Sequence, residues 1–274
     1  MADQFSFFIF TVHCIQIPGM ENLTEKPKYH TGIVLSGGLV RGFAHLGVLK
    51  ALNERHIYPD VISGVSAGAI VAAFYGAGYP PDTILEFFEG KRLRSFMKLS
   101  LRRDGLMNLK GLRKFMEKRL DRKMLQELDI PVYLTVTNFN TGRPEHLSEG
   151  NLIDLVIASA SVPVMFRPVH INGNVFFDGG ITNNFPVEPI QDDCKEIIGI
   201  NVNPVSVITK VRGLRYIATR SFYIGVAAET YEKCKNLKYF IEPAGLHKFG
   251  YFAISKCREI FEVGYKEAVK VLNV

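Results

Sequence analysis

The chain has 274 residues, 47% hydrophobic and 22% charged, with a formal net charge of +6. That balance belongs to a globular protein with a full core and excludes a disordered tail, a collagen-like fibre and a disulfide scaffold. No run reaches the roughly 18 apolar residues of a membrane-spanning helix.

Residues 5–12 (Phe-Ser-Phe-Phe-Ile-Phe-Thr-Val) are apolar but short. No basic residue precedes them and no small-residue cleavage site follows, so they make a poor signal peptide. Residues 1–28 are therefore expected to be an extension outside the core, with a membrane-touching anchor as the sharper alternative. The sequon at Asn22 carries no weight without an export signal. Residues 31–35 predict a buried first strand ending in Ser36-Gly37-Gly38-Leu39-Val40-Arg41-Gly42. A helix over about 43–55 follows, with Leu46, Leu49 and Leu52 at helical spacing. Next comes Asp60-Val61-Ile62-Ser63-Gly64-Val65-Ser66-Ala67-Gly68-Ala69-Ile70, a β-branched segment that meets a glycine-flanked serine and then small helical residues. Residues 82–124 read as several helices, 131–137 as a strand and 151–160 as a helix. Val175-Phe176-Phe177 leads into Asp178-Gly179-Gly180, and 196–202 reads as a buried strand. Helices over 213–235 and 255–272 flank a last strand at 237–241. Strands alternating with helices predict a three-layer α/β/α fold with a mainly parallel central sheet. No repeat or linker divides 29–274, so one domain is expected there. Cys14, Cys194, Cys234 and Cys257 form no CxxC pair and read as reduced thiols in the cytoplasm.

The G-x-S-x-G run Gly64–Gly68 is a nucleophile elbow in its strand–turn–helix setting. The turn strains Ser66, side chains two residues either side would collide with neighbours, and the helix N-terminus favours developing negative charge. The glycine-rich loop 36–42 lacks both the G-x-G-x-x-G and the Walker spacing, which weakens a nucleotide reading. Its adjacent glycines suit a nest of N–H groups around an oxyanion. For the base, triad order directs attention to late histidines, His170 and His247, with His146 a distant third. A solvated surface histidine is the plainer account of His247. Asp178 is the better candidate, although a simple Asp-Gly turn also explains that motif. Ser95-Phe96-Met97-Lys98 matches S-x-x-K but lacks the companion β-lactamase motifs.

Three blocks in order, S-G-G-x-x-R-G-x-x-H-L-G-V-L from Ser36, G-V-S-A-G from Gly64 and D-G-G from Asp178, resemble the patatin-like phospholipases over most of 31–200. The resemblance implies a Ser66–Asp178 dyad without a histidine, metal or cofactor. It implies an oxyanion and substrate-binding loop of Gly37, Gly38, Leu39 and Arg41, supported by Gly64, Gly68, Gly179 and Gly180. It also implies a structural role for His45. One position departs from the family pattern: Leu39 stands where a third consecutive glycine is usual. Leucine does not take a positive φ cheaply, so a differently shaped loop is expected, and losing an oxyanion donor costs on the order of 10²–10³ in rate. With an unperturbed carboxylate pKa near ~3.9, an aspartate base is expected to keep the enzyme active at mildly acidic pH.

Residues 91–123 hold 13 Lys and Arg against 3 Asp and Glu. Leu93, Phe96, Met97 and Leu101, then Leu112, Phe115, Met116 and Leu120, predict two basic amphipathic helices that could rest on an anionic membrane. A solvated basic face over an ordinary core stripe is the competing account. Nothing here supports a nucleic-acid partner. The sequence thus points to a serine lipid acyl hydrolase of phospholipase A or lysophospholipase type, cytoplasmic and peripheral to a membrane. Two alternatives stay open: an acyltransferase on the same dyad, and a non-catalytic lipid-binding protein compromised by Leu39.

Overall fold

The computed structural model describes residues 26–100, 104–205, 207–208, 210–211 and 213–273. Most of the expected extension, with Cys14 and the Asn22 sequon, lies outside the described residues, as does Leu101.

An eight-stranded sheet forms the centre. Five strands run parallel in the order β10 (Tyr239–Ile241), β9 (Cys194–Ile200), β1 (Tyr29–Leu35), β2 (Val61–Val65) and β5 (Val132–Asn138). Three antiparallel strands extend it: β6 (Arg143–Leu147) and β8 (Asn174–Asp178) on β5, and β7 (Val169–Ile171) on β8. The expected mainly parallel sheet is present, and β6 and β7 are additions that sequence periodicity does not reveal. β1 shows why both faces are covered. Its side chains alternate, sending Ile33 and Leu35 into one core and Val34 into the other.

The larger core lies beneath α1 (Phe43–Asn53), α2 (Ala67–Gly76), α3 (Pro81–Phe88), α5 (Leu152–Ser159) and α7 (Cys257–Leu272). α1 and α7 cross at Gly47 and Gly264, where a β-carbon would lie 2.0 Å and 2.1 Å from a carbonyl oxygen of the other helix. The smaller core, built on Val34, Val61, Phe185, Val187, Ile190 and Ile197, lies on the opposite face. α6 (Gly213–Lys233) flanks that face, with Lys233 reaching Glu188 at 2.7 Å.

Among the described residues of 91–123 one of the two expected helices forms, α4 (Lys110–Glu117), which buries Leu112 and Met116. The first is replaced by a 3-10 turn at Leu93–Ser95 and a short hairpin of β3 (Lys98–Leu99) and β4 (Met107–Asn108). The apolar spacing of Leu93, Phe96 and Met97 suits a single turn as well as a helix. What decides against the helix is a long-range ladder: Leu106 and Met107 donate to the carbonyls of Val164 and Met165. No helix among the described residues is long and apolar enough to cross a membrane.

The sheet brings two distant residues together. β6 occupies one edge of β5 over Leu134–Asn138, so β2 and β8 must share the other. β2 pairs up to Thr135 (with Val65), and β8 takes over at Val136 (with Asp178). The two strands meet end to end, and the residues at their tips are Ser66 and Asp178.

Candidate active site

Ser66 follows β2 and caps α2 in a strained conformation, φ 53 and ψ −115. Both elbow glycines are required by close approach. A β-carbon at Gly68 would sit 2.3 Å from the Leu35 carbonyl oxygen, and one at Gly64 would sit 2.9 Å from that of Gly68. The strain at Ser66 costs on the order of 1–3 kcal/mol and is held by a hydrogen-bond chain. Ser66 N–H donates to Ser159 Oγ at 2.9 Å, and Ser159 Oγ donates to the Thr135 carbonyl at 2.7 Å. Ser159 carries no sequence motif and escapes a reading by local pattern.

The Ser66 hydroxyl donates to Asp178 Oδ2 at 2.6 Å, with both residues buried. Asp178 Oδ1 accepts the Gly180 N–H at 2.8 Å, and the Asp178 carbonyl accepts Thr137 Oγ1 at 2.8 Å. Gly179 packs directly on β5, since a β-carbon there would lie 2.3 Å from the Thr135 carbonyl oxygen. Burial pushes the Asp178 carboxyl up to about 7, against the opposing pull of the Ser66 and Gly180 hydrogen bonds. This corrects the expectation of acid-tolerant activity. A carboxylate in this site is protonated at mildly acidic pH, much as a histidine would be. A hydroxyl bonded to such a carboxylate can pass its proton along that bond as it attacks an electrophile.

No histidine among the described residues hydrogen-bonds Ser66 or Asp178. His247 is exposed, with Nδ1 2.6 Å from the Ala244 carbonyl oxygen. His170 is exposed on β7, and His146 is half-buried against Thr135 Oγ1 at 2.9 Å. His45 is fully buried. Desolvation lowers its pKa to about 4, so the neutral ring donates from Nε2 to the Ser36 carbonyl at 2.8 Å, pinning the β1–α1 turn.

The glycine-rich loop lies between the end of β9 and the end of β2, the two neighbours of β1 in the sheet. Gly37 abuts Ser66, because a β-carbon on it would lie 3.2 Å from Ser66 Cβ. The Gly37 N–H is turned toward the Asn184 carbonyl at 3.4 Å. Its carbonyl is held from the β9 side by Asn203 Nδ2 at 2.5 Å and by Ser36 Oγ at 3.1 Å. In a trans peptide the next N–H points opposite to the carbonyl. The Gly38 N–H therefore points away from Asn203, and it carries no hydrogen bond among the described residues. Leu39 takes a positive φ of 51, a conformation glycine adopts freely and leucine only with strain. The Arg41 guanidinium turns to the C-terminal loop. Nε and Nη2 donate to the Phe249 carbonyl at 3.2 and 3.0 Å, and the group stacks on Tyr251 at 4.2 Å.

A cleft of about 650 Å³, measured out to its open mouth, leads away from Ser66. Leu39, Phe43, Ile70, Phe96, Leu112 and Phe166 are among its walls, and only Ser66 and Tyr251 contribute polar side chains. Such a wall excludes water and accepts a hydrocarbon chain.

Residues 33–190 match the family model described as Patatin-like phospholipase. The chain is 26% identical over 277 residues to a protein named Lysophospholipase NTE1 from Mycosarcoma maydis, covering 88% of this chain but 15% of that one. It is 29% identical over 205 residues to an uncharacterised protein, R571, of Acanthamoeba polyphaga mimivirus, covering 66% and 69% of the two chains. The chain thus spans about a sixth of the length of the curated fungal relatives it matches. Among solved structures, VipD from Legionella pneumophila shares the fold with a TM-score of 0.51 at 15% identity, covering 90% of this chain and 67% of that one.

Proposed function

The chain belongs to the patatin-like phospholipase family, and from that premise we propose that it is a serine lipid acyl hydrolase working through Ser66 and Asp178. The observation that carries this reading is the buried 2.6 Å Ser66–Asp178 hydrogen bond at the head of an apolar cleft.

Ionised Asp178 takes the hydroxyl proton as Ser66 Oγ attacks the ester carbonyl. The tetrahedral oxyanion is met by the Gly38 N–H, with the positive end of α2 close by. Collapse expels the alcohol, which leaves with the proton from Asp178, and the acyl group stays on Ser66. Water then attacks the acyl-enzyme with Asp178 as base, releasing the fatty acid. Leu39 is compatible with this cycle, because its backbone already holds the conformation the loop needs. The apolar walls of the cleft support an acyl substrate, and the fungal relatives' name, lysophospholipase, favours a lysophospholipid. The catalytic unit is residues 29–274, acting in the cytoplasm and meeting its substrate at an anionic membrane through the basic stretch 91–123.

Incubation with a lysophospholipid labelled on its acyl chain tests the proposal. Free labelled fatty acid from the native protein, and none from Ser66→Ala, is expected. Label on an added alcohol acceptor in preference to water would make the protein an acyltransferase on the same serine. No turnover and no labelling by a fluorophosphonate would make it a lipid-binding protein.

A further inference from the structure

The apolar residues of the β3–β4 hairpin do not all turn inward. Leu99 is 84% exposed, Leu106 65% and Val164 76%. They are neighbours, because the backbone ladder runs from Ser100 N–H to the Leu106 carbonyl (3.0 Å) and from Leu106 N–H to the Val164 carbonyl (3.1 Å). Val164 is held at φ 67, a conformation that β-branched side chains rarely adopt. Burial offers no reason for that strain, since the side chain stands in solvent. The inner side of the same ladder is the wall of the acyl cleft. Met107 bridges Phe166, and Phe96, Leu109 and Phe166 line the cleft. Phe252, which also lines the cleft, is 43% exposed.

The chain around this patch is rich in cations, with Lys98 next to Leu99 in sequence. Lys91, Arg92, Arg94, Lys98 and Lys110 are exposed and form no ion pair among the described residues. The nearby acid, Asp104, is already neutralised by Arg167 at 2.8 Å. Apolar tips in a stretch rich in exposed cations suit a surface that offers anions at one level and hydrocarbon just beneath. A bilayer with anionic headgroups offers both.

We propose that Leu99, Leu106 and Val164 form an insertion edge that seats the protein on an anionic membrane, with the mouth of the cleft turned to the lipid. The inference deepens the lipid-hydrolase reading and rests on it for the identity of the occupant. Headgroups bind the exposed cations of this stretch, the three side chains enter the acyl boundary, and a chain leaving the bilayer passes along the ladder's inner face to Ser66.

Sedimentation with vesicles of phosphatidylcholine, with and without phosphatidylserine, tests it in a Ser66→Ala background that leaves the lipid intact. The expected result is binding that requires phosphatidylserine and weakens with salt. A Leu99→Ser/Leu106→Ser variant is expected to bind at least about tenfold more weakly. Neither position touches the cleft, so with Ser66 intact the same pair should hydrolyse a soluble short-chain p-nitrophenyl ester at the parent rate. A parent that ignores phosphatidylserine, a double variant that binds like the parent, or a patch that drives self-association in place of vesicle binding overturns the proposal. Vesicle binding through this edge without any ester hydrolysis would instead fault the hydrolase reading and leave the edge standing.

Discussion

Replacing Asn203 with leucine tests how the glycine-rich loop, proposed to hold the oxyanion, is itself held. The Gly37 carbonyl takes two donors, Asn203 Nδ2 at 2.5 Å and Ser36 Oγ at 3.1 Å. Leucine has nearly the shape of asparagine but no donor, so only the longer bond survives. A buried acceptor left short of a partner costs about 1–3 kcal/mol. That cost falls on the present orientation of the Gly37–Gly38 peptide, which gains freedom to turn. At about 1.4 kcal/mol per factor of ten, kcat should drop by about 5- to 150-fold. The ceiling is the 10²–10³ that follows complete loss of an oxyanion donor, on the order measured for other serine enzymes. KM for a short-chain ester should stay within about twofold, because the cleft walls are untouched. The assay is steady-state hydrolysis of a p-nitrophenyl ester beside thermal unfolding and the rate of fluorophosphonate labelling, whose phosphoryl oxygen needs the same donor. Unchanged kcat, or a loss no larger than the unfolded fraction, refutes this account of Asn203 as a positioning residue.

Three further outcomes follow from the same geometry. Burial raises Asp178 from 3.8 to about 7, so the folded state is penalised above that pH and the penalty fades as pH falls through the window toward the unfolded value. Asp178→Asn should therefore abolish turnover yet raise stability on the order of 2 kcal/mol at about pH 8; thermal melts across pH should show the gain shrinking with acid, and a loss of stability at alkaline pH would contradict it. In the native enzyme, kcat/KM should rise with pH through an apparent pKa near 7, and a profile flat into the acid range would contradict a buried base. Leu39→Gly should relieve roughly 1–2 kcal/mol of left-handed strain and return about 0.4–1 kcal/mol to the unfolded chain, keeping kcat within about threefold; a large gain in rate would mean leucine distorts the loop. Ser159→Ala strips the partner from the Ser66 N–H and the Thr135 carbonyl and should cost about 1–3 kcal/mol in denaturant unfolding, where an unchanged midpoint would sink the idea.

The parts of this protein legible in the sequence are those whose physics is local. The strand–turn–helix around Ser66 can be read because glycine is demanded within two residues of the serine. β1 and β9 can be read because both of their faces are buried. The pairing of Ser66 with Asp178 could be suspected from the D-G-G turn, but its cause is not local. It depends on β6 taking one edge of β5 and leaving the other to be shared, and β6 (Arg-Pro-Glu-His-Leu) has no alternating pattern to announce it. Asn203 and Ser159 act through long-range hydrogen bonds, which no window of sequence contains. The hairpin of β3 and β4 was hidden for the same reason, since its support comes from residues 164–166. The carboxyl of Asp178 titrates where a histidine would because of burial, and burial is a property of the assembled core.

The most direct measurement compares p-nitrophenyl ester hydrolysis by the native protein, Ser66→Ala, Asp178→Asn and His247→Ala. The Ser66–Asp178 account predicts activity at background in the first two variants and unchanged in the third. An inactive His247→Ala beside an active Asp178→Asn would contradict it.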